Sequence, residues 1–427
     1  MKIKTALLLV FILLSVLLLP ALHAVAADEG AEAKWLAVLN SDGDWQAKQQ
    51  ACRELRVVGT VQCLPELAGL LTDPQLSGYA RFALEAMPYP EVDALLHDAF
   101  GKTTGPQQTG IVITMGARRD ASAVPLLAPL LENADAELAR AAAGALGRIA
   151  TTESVDALTQ FRARAAESAR FAVEEGLLAA AQRWSKENKG DQAAAVLETL
   201  AAPGAPSNVR MGAFYLLASA QPDKAPERLL AALSGNDADL RDMAARVVSE
   251  TSGTELTTRY AAALPTLSAE GQAALVRALA GRHDAAARPA VIQALDSPEQ
   301  SVKIAALKAL ATLGNAGDVA KLAALMGGDD TDAAAAARAT LATIEGAEVD
   351  AAIAASITAA PAAVQAKLLD LLLDRRAEQA LPMAVQHALS GDAPVREAAL
   401  RTLAVVGTKD NTSILITAID TAPDAAA

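Results

Sequence analysis

The strongest constraint in this sequence is a period. From Leu217 onward every thirty-first residue is large and apolar, through Val248, Leu279, Leu310, Leu341, Leu372 and Leu403. Eight positions earlier a second series keeps step through Val209, Leu240, Gly271, Val302, Ala333, Val364 and Val395, so the register holds along a whole helical face. A fixed period of this length describes stacked supersecondary units, none of which can bury its own apolar stripe without its neighbours. Upstream the landmarks are Leu55, Leu84, Val112, Leu146 and Leu178 at uneven gaps. The long gap before Leu217 holds the polar stretch Trp184 to Gln192, which predicts an extended loop inside one unit.

Each unit reads as two helices. In the unit that begins at Asp392 that residue offers an N-cap and Pro394 suits the first turn. Val395, Ala398, Ala399, Thr402, Leu403 and Val406 share one face, Gly407 stops the helix, and Ile414, Leu415, Ala418 and Ile419 mark the second helix. Composition agrees. Roughly a quarter of the chain is Ala and only 3% is aromatic, which suits closely packed helices and excludes sandwiches and barrels that need β-branched and aromatic filling. The expected fold class is all-α, an α-solenoid of about twelve stacked helical hairpins of about 31 residues. The division is a leader at 1–26, a lead-in at 27–44 and the array at 45–427, irregular over 45–207 and regular over 208–420.

The entries Asp237-x-x-Leu240-Arg241 and Asp392-x-x-Val395-Arg396, the Ala-rich first helices, and the exits Leu146-Gly147-Arg148-Ile149 and Val405-Val406-Gly407 resemble HEAT repeats of the short, Ala-rich bacterial kind. The stretches Ala51–Thr60, Gly78–Phe100 and Gly116–Leu131 look like the opening repeats of secreted bacterial HEAT-repeat proteins. The resemblance implies an armadillo-like helical array that acts as a protein-interaction scaffold. Some members with short repeats are bilin lyase subunits, but none of their catalytic residues maps onto this chain.

The N-terminus carries Lys2 and Lys4 ahead of the apolar run Ala6 to Leu19, then Pro20 and the small-x-small triplet Ala24-Val25-Ala26. This is the order of an export signal, with cleavage expected before Ala27 and a periplasmic or extracellular product. An uncleaved anchor is the competing reading, disfavoured because the run is short for a hydrocarbon core. The formal net charge is −13, which opposes a phosphate backbone and excludes nucleic acid as a partner class while favouring a basic protein partner. Two cysteines, Cys52 and Cys63, could bridge in an oxidising compartment; on antiparallel helices joined at Gly59 their stagger favours two buried thiols instead.

Candidate sites are few. No ring follows Tyr260, and the aromatic residues Trp35, Trp45, Tyr79, Phe82, Tyr89 and Phe100 gather near Arg81, His97, Arg118 and Arg119. From this group Tyr79, Arg81, Tyr89, Arg118 and Arg119 form the candidate ligand or partner site, set against core filling in irregular repeats. His97, His283 and His387 lie in different repeats without a nucleophile or metal motif. Gly327 to Asp332 could place oxygens around calcium, but it stands where Asp73, Asp135, Asp237, Asp296 and Asp392 stand in other repeats, which predicts capping. The cations Arg81, Arg140, Arg210, Arg241, Lys303 and Arg396 are expected to pair with such acids within a unit or across the stack. No cofactor motif is present. The leading expectation is an exported, non-catalytic scaffold; the alternatives are an enzyme or enzyme subunit, lyase-like or carbohydrate-related, on the N-terminal repeats, and a sugar-binding module.

Overall fold

The computed structural model describes residues 30–420, and of Ile419 only the backbone. The leader, its cleavage point before Ala27 and the residues after Asp420 lie outside the described residues.

Among the described residues twelve first helices begin at 45, 77, 105, 136, 167, 207, 238, 269, 300, 331, 362 and 393, each followed by a second helix, in most hairpins a shorter one, or by a 3₁₀ turn that leads into one. From 207 on the spacing is 31 throughout, so the sequence period is the hairpin period. Leu217, Val248, Leu279, Leu310, Leu341, Leu372 and Leu403 are all at most 4% exposed, which places the repeating apolar position in the core. Upstream, Leu55, Leu84, Val112 and Leu146 are buried too, whereas Leu178 is half-buried and its neighbour Leu177 takes the core position.

Starts and stops have local causes. Asp44, Asp135, Asp237, Asp330 and Asp392 each accept a backbone N–H of the following first turn through the side chain, and Ser268 does the same. Asp330 is therefore a cap, as the 327–332 stretch predicted. Asp73 turns the chain just ahead of the Ser77–Ala86 helix by accepting from Gln75 and Leu76. Asp296 departs from the pattern: Glu299 holds the N-cap position, and Asp296 pairs with Lys321 at 2.8 Å. At Gly59 and Gly407 the backbone is extended, with φ of −71° and −65°, and the glycine serves space instead. A Cβ there would stand 2.4 Å from Leu55 O and 2.3 Å from Leu403 O.

Two compact units divide the chain, Met1–Gln221 and Pro222–Ala427. In the first, the helices Trp45–Val58, Ser77–Ala86, Gly105–Arg118, Ala136–Ile149, Glu167–Lys186 and Ser207–Ala220 pack in succession, each on the next. In the second the same succession runs from Ala238–Glu250 through Ala269–Gly281, Gln300–Leu313, Thr331–Thr343 and Ala362–Asp374 to Ala393–Val406. The lead-in is itself structured: residues 30–39 are helical, and buried Glu32 accepts from Thr60 N at 2.7 Å and Thr60 Oγ1 at 2.8 Å. The polar stretch from Trp184 is no extended loop. It is the end of the 20-residue helix Glu167–Lys186 and a three-residue turn, because the indole of Trp184 is buried and its N–H donates to Ala150 O at 2.7 Å.

Candidate binding cleft

The candidate residues separate into three places. Tyr79 and Arg81, on the Ser77–Ala86 helix, line one cleft of about 760 Å³ together with Arg53, Ser77, Phe82, Pro106 and Gln107. Tyr89 and Arg118 belong to the packing between hairpins. Arg119 lies elsewhere, exposed beside Arg148, Arg183 and Lys186 in a smaller depression of about 420 Å³.

Arg118 ends the Gly105–Arg118 helix with its side chain only 8% exposed. Its Nε donates to Asp93 Oδ1 at 2.6 Å, Nη1 to Leu84 O at 2.9 Å and Met87 O at 2.6 Å, and Nη2 to Tyr89 O at 2.9 Å. These carbonyls belong to the end of the preceding first helix and the turn after it, where intrahelical partners run out. Arg118 is therefore a C-cap supplied by the next hairpin, and all its donor edges face inward. Tyr89 supplies one of those carbonyls, and its hydroxyl donates to Gly59 O at 3.4 Å. Both residues are engaged in packing one hairpin on the next, apart from the cleft that Tyr79 and Arg81 line.

The same device recurs. Arg282 donates to Val248 O at 2.7 Å, Gly253 O at 2.8 Å, and Thr251 O. Arg375 donates to Leu341 O at 2.7 Å and Ile344 O at 2.8 Å and pairs with Asp350 at 2.5 Å. The residue after each staple, Arg119, His283 and Arg376, takes a left-handed conformation with φ of 63°, 53° and 54°. Staple and turn form one motif, with the N–H two residues past the staple reaching back to Met115 O and Leu372 O in the first and last cases. The pairs Arg118-Arg119 and Arg375-Arg376 are this motif. His97 is engaged likewise, its Nε2 2.6 Å from the carboxylate of Asp120, which caps the following turn.

The cleft is built differently. Arg53 and Arg56 stand one turn apart on the Trp45–Val58 helix, both exposed, with guanidinium carbons 5.8 Å and 4.3 Å from the ring centroids of Tyr79 and Phe82. Arg81 crosses to the Gly105–Arg118 helix, where Nη1 donates to Gly110 O at 3.1 Å. Gly110 makes room for it, since a Cβ there would meet the guanidinium at 2.3 Å. Burial lowers the pKa of Arg81, with the nearby charge of Glu85 opposing the shift. Nε of Arg81 and Oγ of Ser77 are buried without a hydrogen-bond partner. Sequence reasoning missed Arg53 and Arg56; their i, i+3 spacing was visible, but nothing in it said that the next hairpin sets two rings beneath them.

Other expected pairings hold in part. Arg140 pairs with Glu137 at 2.5 Å within its unit and Lys303 with Asp330 at 3.4 Å across to the next. Arg241 and Arg396 each donate to a backbone carbonyl, Gly235 O and Ser390 O, both at 2.8 Å. Cys52 and Cys63 are buried free thiols, so the bridge they could make is absent. Cys52 faces inward from the first helix while Cys63 ends the 3₁₀ turn Val61–Cys63, its Sγ donating to Thr60 O. Among the described residues no three His, Cys, Asp or Glu gather to hold a metal, and no helix is long and apolar enough to cross a membrane.

No curated protein sequence matches the chain. Among solved structures, Kap121p bound to the SUMO protease Ulp1p is similar over 92% of this chain and 50% of that one, at 12% identity and a TM-score of 0.49. Kap95p, solved with RanGDP, matches over 91% and 62% at 12% identity and a TM-score of 0.42. Human deoxyhypusine hydroxylase in complex with glycerol matches over 59% and 96% at 20% identity and a TM-score of 0.28. The chain spans half the length of the Kap121p chain, and likeness at these levels carries nothing about activity or partner. A family model described as HEAT repeats matches residues 108–178 and 257–342. Those two segments fall one in each unit, and the hairpins on either side of them keep the same order of first helix, turn and second helix; the matched segments are HEAT repeats, and their architecture recurs along the described residues.

Proposed function

We propose that this HEAT-repeat chain is an exported, non-catalytic scaffold that binds protein partners in the periplasm or outside the cell. The observation that carries the reading is the employment of its polar side chains. Arg118, Arg282, Arg375, Trp184 and the His97–Asp120 pair, the groups most suited to chemistry or ligand contact, hold one hairpin to the next. Export is supported by the leader sequence, and a partner of basic overall charge by the net charge of −13. An array of this kind presents extended surfaces along its hairpins, and these suit contact with another chain.

The test is a pull-down from the native exported fraction with residues 27–427 as bait, repeated at high salt. A specific basic protein lost at high salt is the expected result. Recovery of a catalytic turnover by the purified protein alone, in an extract from a strain lacking it, would overturn the scaffold reading.

A further inference from the structure

We infer that the cleft between the first two hairpins and the third binds an extended acidic peptide segment through its carboxylates. The inference deepens the scaffold reading and rests on it for a protein partner, one that carries an acidic segment whatever its overall charge. Arg53 and Arg81 line this cleft and Arg56 stands against the ring of Phe82 at its edge, so positive charge gathers here on a chain whose net charge is −13. Among the described residues no carboxylate hydrogen-bonds to any of the three; Glu85 acts on Arg81 only through its charge. Guanidinium groups set against ring faces keep their N–H edges available, and such an edge fits a carboxylate with two parallel hydrogen bonds.

Two further features point to a ligand. Ser77, 3% exposed, has an Oγ with no partner, and Arg81 Nε is likewise buried and unpaired; both residues line the cleft. A buried donor left without an acceptor is destabilising, so an acceptor that enters the cleft recovers that loss. Pro74 and Pro106 with the exposed ring of Phe82 give apolar walls, which match the side chains and backbone of an extended peptide. The cleft holds only a few cations on a chain of negative net charge, and this favours a short segment over a polyanion whose charges would run on well beyond it.

The experiment uses the full chain and a fluorescein-labelled peptide in which Glu alternates with Ala, with a Lys-for-Glu counterpart as control, followed by fluorescence anisotropy. The Glu peptide should bind with an affinity that falls as salt rises. The double variant R53E/R56E should weaken it at least about tenfold, and Phe82→Ala, which leaves every charge in place, should weaken it several-fold. All three positions are exposed, and unchanged helical circular dichroism would show that the variants fold. The variant R119E/R148E makes the same change in net charge outside the cleft and should bind as the parent does. Equal weakening by both double variants, or no binding of the Glu peptide, would overturn the assignment. A wild-type bait that still captures a specific partner after such a failure leaves the scaffold reading standing, whereas cleft binding of the peptide with an empty bait would fell the scaffold reading alone.

Discussion

Arginine does two unlike jobs here, and the residue scale separates them. Arg118 has every donor edge turned into backbone carbonyls and Asp93, whereas Arg119, the next residue, is exposed in a left-handed conformation. Replacing Arg118 with Ala leaves carbonyls and a half-buried carboxylate unpartnered, and should lower the unfolding free energy by about 3 kcal/mol. Arg119→Gly relieves a positive φ and should be neutral or slightly stabilising. Urea titrations of the two variants check both, and equal effects would remove the staple argument. The thiols make a second residue-scale prediction. Burial pushes Cys52 up to about 11 and, with the charge of Glu32 adding to it, Cys63 up to about 12. Neither should react with a thiol reagent at neutral pH until urea unfolds the chain, when two equivalents should titrate.

At the scale of elements, the first helices of the first unit approach almost to backbone contact. A Cβ on Gly147 would stand 2.4 Å from Gly176 O, and one on Gly116 2.5 Å from Ala145 Cα. Here the alanine content becomes a packing rule: small residues let helices close on one another where Leu would hold them apart. Gly147→Ala should therefore destabilise by about 1–3 kcal/mol although Ala favours a helix. Asp135→Ala removes the side-chain cap of the Ala136–Ile149 helix and should cost about 1 kcal/mol, measured in the same titration. The hairpin order was legible because apolar spacing, capping acids and stopping glycines repeat. The helix around Trp184 was not, since its polar sequence reads as a loop and only the carbonyl of Ala150, 34 residues earlier, holds the indole in place.

At the scale of the whole molecule, the titrating groups set a pH window. Asp284 and Asp330 are held below the ordinary carboxylate value by accepted hydrogen bonds, foremost from the backbone of Ala286 and Ala333. A depressed folded pKa contributes stability that is present above the unfolded value and is lost as the pH falls through the folded one. The thiols act in the opposite direction: their folded pKa is raised above the ordinary 9.0, so their contribution is complete below that value and declines as the pH rises toward 11 and 12. The urea midpoint should thus be flat between about pH 5 and 8.5 and fall on both sides. Replacing both cysteines with Ala should blunt the alkaline fall alone.

The all-α class, the hairpin period, most caps and the identity of the core series can be read along the chain, because each follows from local spacing and from chemistry within a few residues. The sequence could not decide which arginine is a staple and which is a hand held out to a ligand. Arg118 and Arg81 read alike in one dimension. The first meets the carbonyls of a hairpin some 30 residues back, and the second lies along Gly110 with an edge unpaired in a cleft that Arg53 also lines. Only the stacking of one hairpin on another supplies those partners, and it is the supply of partners that distinguishes a structural charge from an available one.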